Sequence, residues 1–199
     1  MANLSIFQKI TGHLKTVHNH RKLVRKYCFM CGLYYQGLTH DLSKYCPSEL
    51  FESIRYYQGN RSPYSYEKEL FGYAPGWLHH KGKNKHHFEY WIDIINGDYT
   101  PLKMPYKYLV ESICDRIAAC KTYEKEKYTP KSALNYFLSK NDKNLMHPDT
   151  AIEMEKILTR IAEVGEQQAL KELKISMKKG LHWGPFMILS DYWNRYLCF

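Results

Sequence analysis

Between Ile10 and Cys31, the residues His13, Val17, His20, Val24, Tyr27 and Cys31 recur at alternating steps of four and three. This spacing follows the α-helical turn and places all six on one face, which the chain must bury. The stripe carries two histidines, His13 and His20, on a face that is otherwise apolar. His18 lies about 160° round the helix from His20 and is expected to face water.

Helical periodicity governs most of the remaining chain. Gly37 closes the first segment, and a further helical start is read over Thr39 to Lys44. Pro47-Ser48-Glu49 opens a short helix through Tyr57, which Gly59 ends. Residues 60 to 76, rich in Pro, Gly, Ser and Tyr, read as a long loop, and Lys81-Gly-Lys-Asn-Lys85 as a second polar break. A helix is expected from His86 to Ile95, a turn at Asn96-Gly97-Asp98, and a helix from Pro105 to about Glu124. Thr129-Pro130 starts another, running to Ser139. A helical stretch follows from Thr150 to Lys179, with a break near Gly165, and a last helix from about Phe186. No strand alternation of useful length is read. The expected fold is all-α: a helical domain over 1–145 with a helical C-terminal extension, 146–199, packed on it.

With 199 residues, 44% hydrophobic and 25% charged, the chain has a globular composition and is long enough to bury a core without disulfides. Its six cysteines are too few and too scattered for a disulfide framework. Cys28-Phe-Met-Cys31 has no second C-x-x-C and reads as a pair of packed thiols. A signal peptide is not expected, because no charged start precedes a long apolar run. No apolar run approaches the roughly 18 residues of a membrane span. A cytoplasmic protein without a membrane partner is the expectation. The formal net charge of +9 suits anionic partners, a small phosphorylated molecule first and nucleic acid second.

Ten histidines are many for this length, and several come as doublets: His40-Asp41, His79-His80 and His86-His87. Neutral imidazole and carboxylate are the ligands of zinc, iron, manganese and related ions. If 86–95 is a helix, its core stripe is Phe88, Trp91, Ile92 and Ile95. His87 then flanks the stripe and is the expected ligand, while His86 points outward. Asp115 lies off the stripe formed by Tyr106, Leu109, Ile113, Ile117 and Cys120. It shares a face with Glu111, Ser112, Ala118 and Ala119. The alanines would let another helix approach, so periodicity leaves Asp115 either buried or solvated, with Glu111 as a rival ligand one turn earlier.

The segment Gly37-Leu-Thr-His40-Asp41-Leu-Ser-Lys44 resembles the HD-x-x-K signature of the HD-domain metal-dependent hydrolases. That resemblance implies an all-helical fold whose ligands come as an early His, the His-Asp doublet and a late Asp: here His20, His40, Asp41 and Asp115. Trp77-Leu-His79-His80-Lys81 resembles the extra histidines by which some branches hold a second metal. Over roughly residues 15 to 150, the chain is also similar to an uncharacterised bacterial and phage family with HD-like motifs. The Gly-Tyr-Pro motif of the cyclic-dinucleotide phosphodiesterase branch is missing, and Lys44 stands where nucleotide monophosphatases carry an acid. HD-x-x-K equally resembles the di-iron oxygenases of the superfamily.

One or two divalent ions (iron, manganese, zinc or magnesium) are therefore expected on His20, His40, Asp41 and Asp115, with His79, His80 and His87 completing a second position or meeting the substrate. Such an ion with open positions activates water for attack at phosphorus. Asp41 would bridge two ions or orient the water. Lys44, three residues on, would bind a substrate phosphate, with Lys81, Lys83 and Lys85 as a further phosphate clamp. Glu49 is an acid or base, or simply the N-terminal carboxylate of its helix. The leading expectation is a phosphohydrolase for a nucleotide or other small phosphoester. A di-iron oxygenase and a non-enzymatic, metal-stabilised binding module stand as alternatives.

Overall fold

The computed structural model describes residues 4–179, and the helix expected from Phe186 lies outside them. The described chain is all-α, apart from one small hairpin. Helix α1 (Ile6–Cys31) opens on a capping box between Ser5 and Gln8. It buries His13, Val17, His20, Val24, Tyr27 and Cys31, the six residues of the stripe, together with Cys28. His18 is exposed, as its angle requires.

Helix α2 (Tyr34–Thr39) folds back on α1. The close approach is made at Gly37, where a β-carbon would stand 3.0 Å from both the Cys28 β-carbon and the Phe29 ring. The helical start read over Thr39 to Lys44 is not formed. Helix α2 ends at Thr39, Asp41 takes a left-handed backbone (φ 54°), and Leu42–Tyr45 make one 3-10 turn. Asp is among the few residues that tolerate this conformation.

Helix α3 (Pro47–Arg55) follows as expected. The long loop read over 60–76 instead contains α4 (Pro63–Phe71) and the start of α5 (Pro75–Lys83). Each opens with proline at its first position, where the missing N–H costs nothing. The residues taken as loop punctuation are in fact helix starts and stops. Helix α5 also runs into the polar break read from Lys81 and ends within it, at Lys83.

The helix expected from His86 to Ile95 is absent. Phe88–Trp91 form a 3-10 turn, and Ile92–Ile95 pair as strand β1 with β2 (Asp98–Pro101), in the register Ile92↔Pro101 to Ile95↔Asp98. Asn96 and Gly97 both have positive φ (54° and 93°), which is the tight-turn geometry that Asn-Gly selects and that joins strands rather than ends a helix.

Helix α6 (Tyr106–Glu124) is the central element and packs on α1, on α7 (Ser132–Ser139) and on α9 (Pro148–Val164). A short helix, α8 (Asp142–Leu145), precedes α9, and α10 (Glu166–Lys178) follows the break at Gly165. His147 caps α9 through its ring nitrogen. Ile113, Ile117, Met154, Ile157, Leu158, Ile161, Leu170 and Leu173 are fully buried in one continuous core with Tyr27 and Val24 of α1. Cys28, Cys31 and Cys114 are free, buried thiols of that core. No described helix is long and apolar enough to cross a membrane.

Candidate metal centre

The core fixes α1 against α6, and this brings His20 to Asp115: His20 Nε2 stands 3.0 Å from Asp115 Oδ1. The second face of α6, carrying Glu111, Ser112 and Ala118, is buried, which resolves the position of Asp115 that periodicity left open. The turn after α2 supplies the doublet. Arg21 holds it in place, donating from Nε to the His40 carbonyl (2.8 Å) and from Nη2 to the Leu38 carbonyl (3.2 Å).

Asp41 lies at the middle of the cluster. Its Oδ2 is 3.5 Å from His40 Nε2 and 3.9 Å from His20 Nε2. Its Oδ1 is 3.3 Å from His80 Nε2 and 3.4 Å from His86 Nε2. The two carboxylate oxygens thus face two groups of nitrogens. Three sets of donors have all their atoms within 4.8 Å of one another: His20, His40 and Asp41; His40, His86 and Asp115; and His80, His86 and His87.

These donors fit a divalent cation. His20, His40, His86 and His87 each bury an Nε2 without a hydrogen-bond partner, as Asp41 does an Oδ1. Orphaned buried polar atoms are costly and rare, and here four ring nitrogens gather round the Asp41 carboxylate, whose own Oδ1 is the fifth. The far side of the rings explains their orientation. A carboxylate only accepts, so His40 donates Nδ1–H to Glu111 Oε1 (2.9 Å), which leaves the Nε2 lone pair free. His86 Nδ1 is 3.3 Å from the same oxygen. Glu49, fully buried, accepts from His80 Nδ1 and His79 Nδ1, both at 2.8 Å. Partners of this kind fix the tautomer and aim of a ligating histidine.

Electrostatics keep Asp41, Asp115, His40 and His87 in their metal-binding forms, whereas for His86 burial is outweighed by Glu111, Asp41 and Asp115, which raise its pKa. Burial alone would raise the Asp41 and Asp115 carboxyls, but the surrounding histidines, and for Asp41 also Lys44, hold both well below the usual carboxylate range. Burial pushes His40 and His87 down toward the neutral, lone-pair-bearing form. Lys44 Nζ lies 2.6 Å from Asp41 Oδ2. Burial opposes its charge, yet Asp41 and Asp115 outweigh that and raise its pKa, so it stays an ammonium.

The expected residues are thus placed as follows. His20, His40, Asp41, Asp115, His80 and His87 converge. His79 is turned to Glu49 and is about one-third exposed. His86, read from its helix angle as a surface residue, is 2% exposed and inside the cluster, because the helix behind that reading does not exist. Glu111, the rival ligand, acts behind His40. Lys81 pairs with Glu89, while Lys83 and Lys85 are exposed, and none of the three lines the adjoining cavities. The roles of Glu49 and Arg21 had no sequence signal of their own.

Two cavities of about 410 Å³ and 180 Å³ meet at the cluster and share Asp115, His87, Trp77, Tyr123 and Arg61 as wall residues. His20, His80, His87 and Asp115 line one or both of them, while His40, Asp41 and His86 lie behind that layer. A search of curated proteins and one of solved structures both find no match to the chain. The model of a family of unknown function (DUF5662) matches residues 9–160, a span that includes every residue of the cluster. The expected kinship with an uncharacterised family holds at that level, and the chain belongs to DUF5662.

Proposed function

We propose that this protein is a divalent-metal-dependent phosphohydrolase of HD type, acting on a small phosphoester. The observation that carries the reading is the gathering of four unpartnered buried imidazole nitrogens round the Asp41 carboxylate, beside a cleft lined by His20, His80, His87 and Asp115. A closed site would suit a structural ion, whereas catalysis needs an accessible position. His20, His40 and Asp115 with Asp41 Oδ2 would hold one ion, and His80, His86 and His87 with Asp41 Oδ1 a second. A histidine-dominated set favours zinc, iron or manganese over magnesium. When bound, such an ion supplies Lewis acidity, polarising a phosphoryl oxygen and making water nucleophilic near neutral pH.

The chain's own residues do the rest. Lys44 borders the smaller cavity and carries a permanent charge beside the donors. It has no lone pair to give a metal, so it serves a phosphoryl oxygen and the charge that develops there. Trp77 and Tyr123 wall both cavities and limit water around the reacting group. The net positive charge draws an anionic substrate inward.

The test is a panel of nucleotides and generic phosphoesters with zinc-, manganese- and iron-loaded protein. Lys44→Met should keep its metal and lose turnover on the order of 10²-fold. No turnover by demonstrably loaded protein overturns the reading. The nitrogen-rich donor set also suits redox-active iron, so iron-dependent oxygen uptake would select a di-iron oxygenase instead.

A further inference from the structure

The smaller cavity is bordered by Lys44 and by donors of the cluster, and part of its wall is chemically unlike the rest of the site. Besides Val17 and Pro63, that wall includes five polar residues: His13, Thr16, Ser53, Tyr57 and Tyr64. Every one is neutral and carries a hydroxyl or an imidazole. His13 is 4% exposed and its Nε2 has no hydrogen-bond partner. Tyr64 is 7% exposed, and its hydroxyl lies beside that of Ser53. Tyr57 Oη and Thr16 Oγ1 lie 3.3 Å apart, and each keeps further hydrogen-bonding capacity. The whole cavity, at about 180 Å³, has room well beyond one bridging water.

Burial and the nearby Lys44 lower the His13 pKa to about 4, so its ring is neutral and offers one donor and one acceptor. A neutral imidazole ringed by hydroxyls is a poor anion site and a good site for alcohol groups. The charged end of a ligand belongs at Lys44 and the donor cluster, which border the same chamber.

We propose that this chamber receives the hydroxyl-bearing part of the substrate, a sugar ring attached to the phosphate, with His13 and Tyr64 as its specificity-determining contacts. The inference rests on the phosphohydrolase reading for the phosphate's place and narrows the substrate to sugar phosphates, free or within a nucleotide. Chambers that read hydroxyls reject analogues lacking them, because the wall groups are then left unpaired.

The experiment compares ribose 5-phosphate, adenosine 5′-monophosphate and butyl phosphate on zinc- or manganese-loaded full-length protein. Ribose 5-phosphate should show the higher kcat/KM over butyl phosphate, and His13→Leu should shrink that ratio on the order of tenfold, mainly through KM. Tyr64→Phe should shrink it in the same direction. His13→Gln, which keeps a donor and an acceptor, should restore part of the ratio and guards against a folding defect in His13→Leu. A better KM for the nucleotide puts a base in the larger cavity, and a better KM for ribose 5-phosphate makes a free sugar phosphate the substrate. Independently of turnover, the His13 ring signal in ¹⁵N-histidine NMR should shift with ribose 5-phosphate and not with butyl phosphate. That shift without hydrolysis of any ester would sink the hydrolase reading and leave the chamber standing. Equal kcat/KM for the ribose and butyl esters, unchanged by His13→Leu, would overturn the chamber and leave the hydrolase.

Discussion

On one side of Asp41 two of the three donors ride on long helices, His20 in the 26-residue α1 and Asp115 in the 19-residue α6, both anchored by the hydrophobic core, and only His40 lies in a turn, after α2. On the other side, His80 sits near the end of the nine-residue α5, and His86 and His87 lie in the turn before the β hairpin. Helix-borne donors are positioned by the packing of the whole core, and turn-borne donors only by their neighbours. The second group accordingly leans on Glu49 and on its own rings, with the centroids of His86 and His87 4.3 Å apart, and shares Glu111 with His40. A preorganised half should hold its ion tightly, and the turn-borne half should exchange its ion more readily.

The largest effect is expected where the halves meet. Asp41→Asn keeps a residue that accepts the left-handed backbone but removes the shared charge. Metal affinity at both positions should fall beyond the 10–100-fold typical of losing an outer partner. Retention of full metal content by elemental analysis would dissolve the two-half description. Next, His86→Ala should remove the exchangeable ion and leave the other, so that bound metal falls from about two to about one per chain. Complete loss in His86→Ala would mean a single centre rather than two.

A smaller change separates the supports. Glu49→Gln touches only the turn-borne half, through His80, and should weaken that ion by roughly 10–100-fold while the helix-borne ion stays. Equal weakening of both ions, followed by competition with a chelator, would break the comparison.

The smallest effect lies outside both halves. Glu67 is buried, and that burial, with the nearby Glu52 carboxylate, raises its pKa from 4.5 to about 7. Between those values the folded state holds a proton that the unfolded state has lost, so Glu67 makes stability fall as pH rises through this window. Glu67→Gln should flatten that slope and raise the melting temperature at pH 8 by roughly 2–4 °C, with little change at pH 4. The same shift at both pH values would exclude titration of Glu67 as the cause.

The two halves also differ in how far they could be read from sequence. The stripe of α1 spans many turns, so its period fixed His20 inward without ambiguity. The His40-Asp41 doublet was visible, but not the left-handed turn that orients it. Asp115 was ambiguous because α6 buries two faces, and a helix with two buried faces has no single stripe. In the turn-borne half, four apolar residues spaced like a helix, Phe88, Trp91, Ile92 and Ile95, belong to a 3-10 turn and a strand. The deciding signal was Asn96-Gly97 beside Ile94 and Ile95, a hairpin marker that outweighs so short a period. Glu49 and Glu111 look like any helix carboxylates in sequence, and only the fold turns them toward histidines.

Gly37 has a mechanical consequence. It lies three residues before His40 on a helix of only six, wedged against Cys28 and Phe29. A side chain there would drive α2 from α1 by a few tenths of an ångström. Metal–ligand bonds tolerate errors of about 0.2 Å. The clearance between Gly37 and the Cys28 and Phe29 side chains is therefore a machining tolerance for the donor atom downstream, and Gly37→Ala should alter which ion fits best before it alters whether the chain folds.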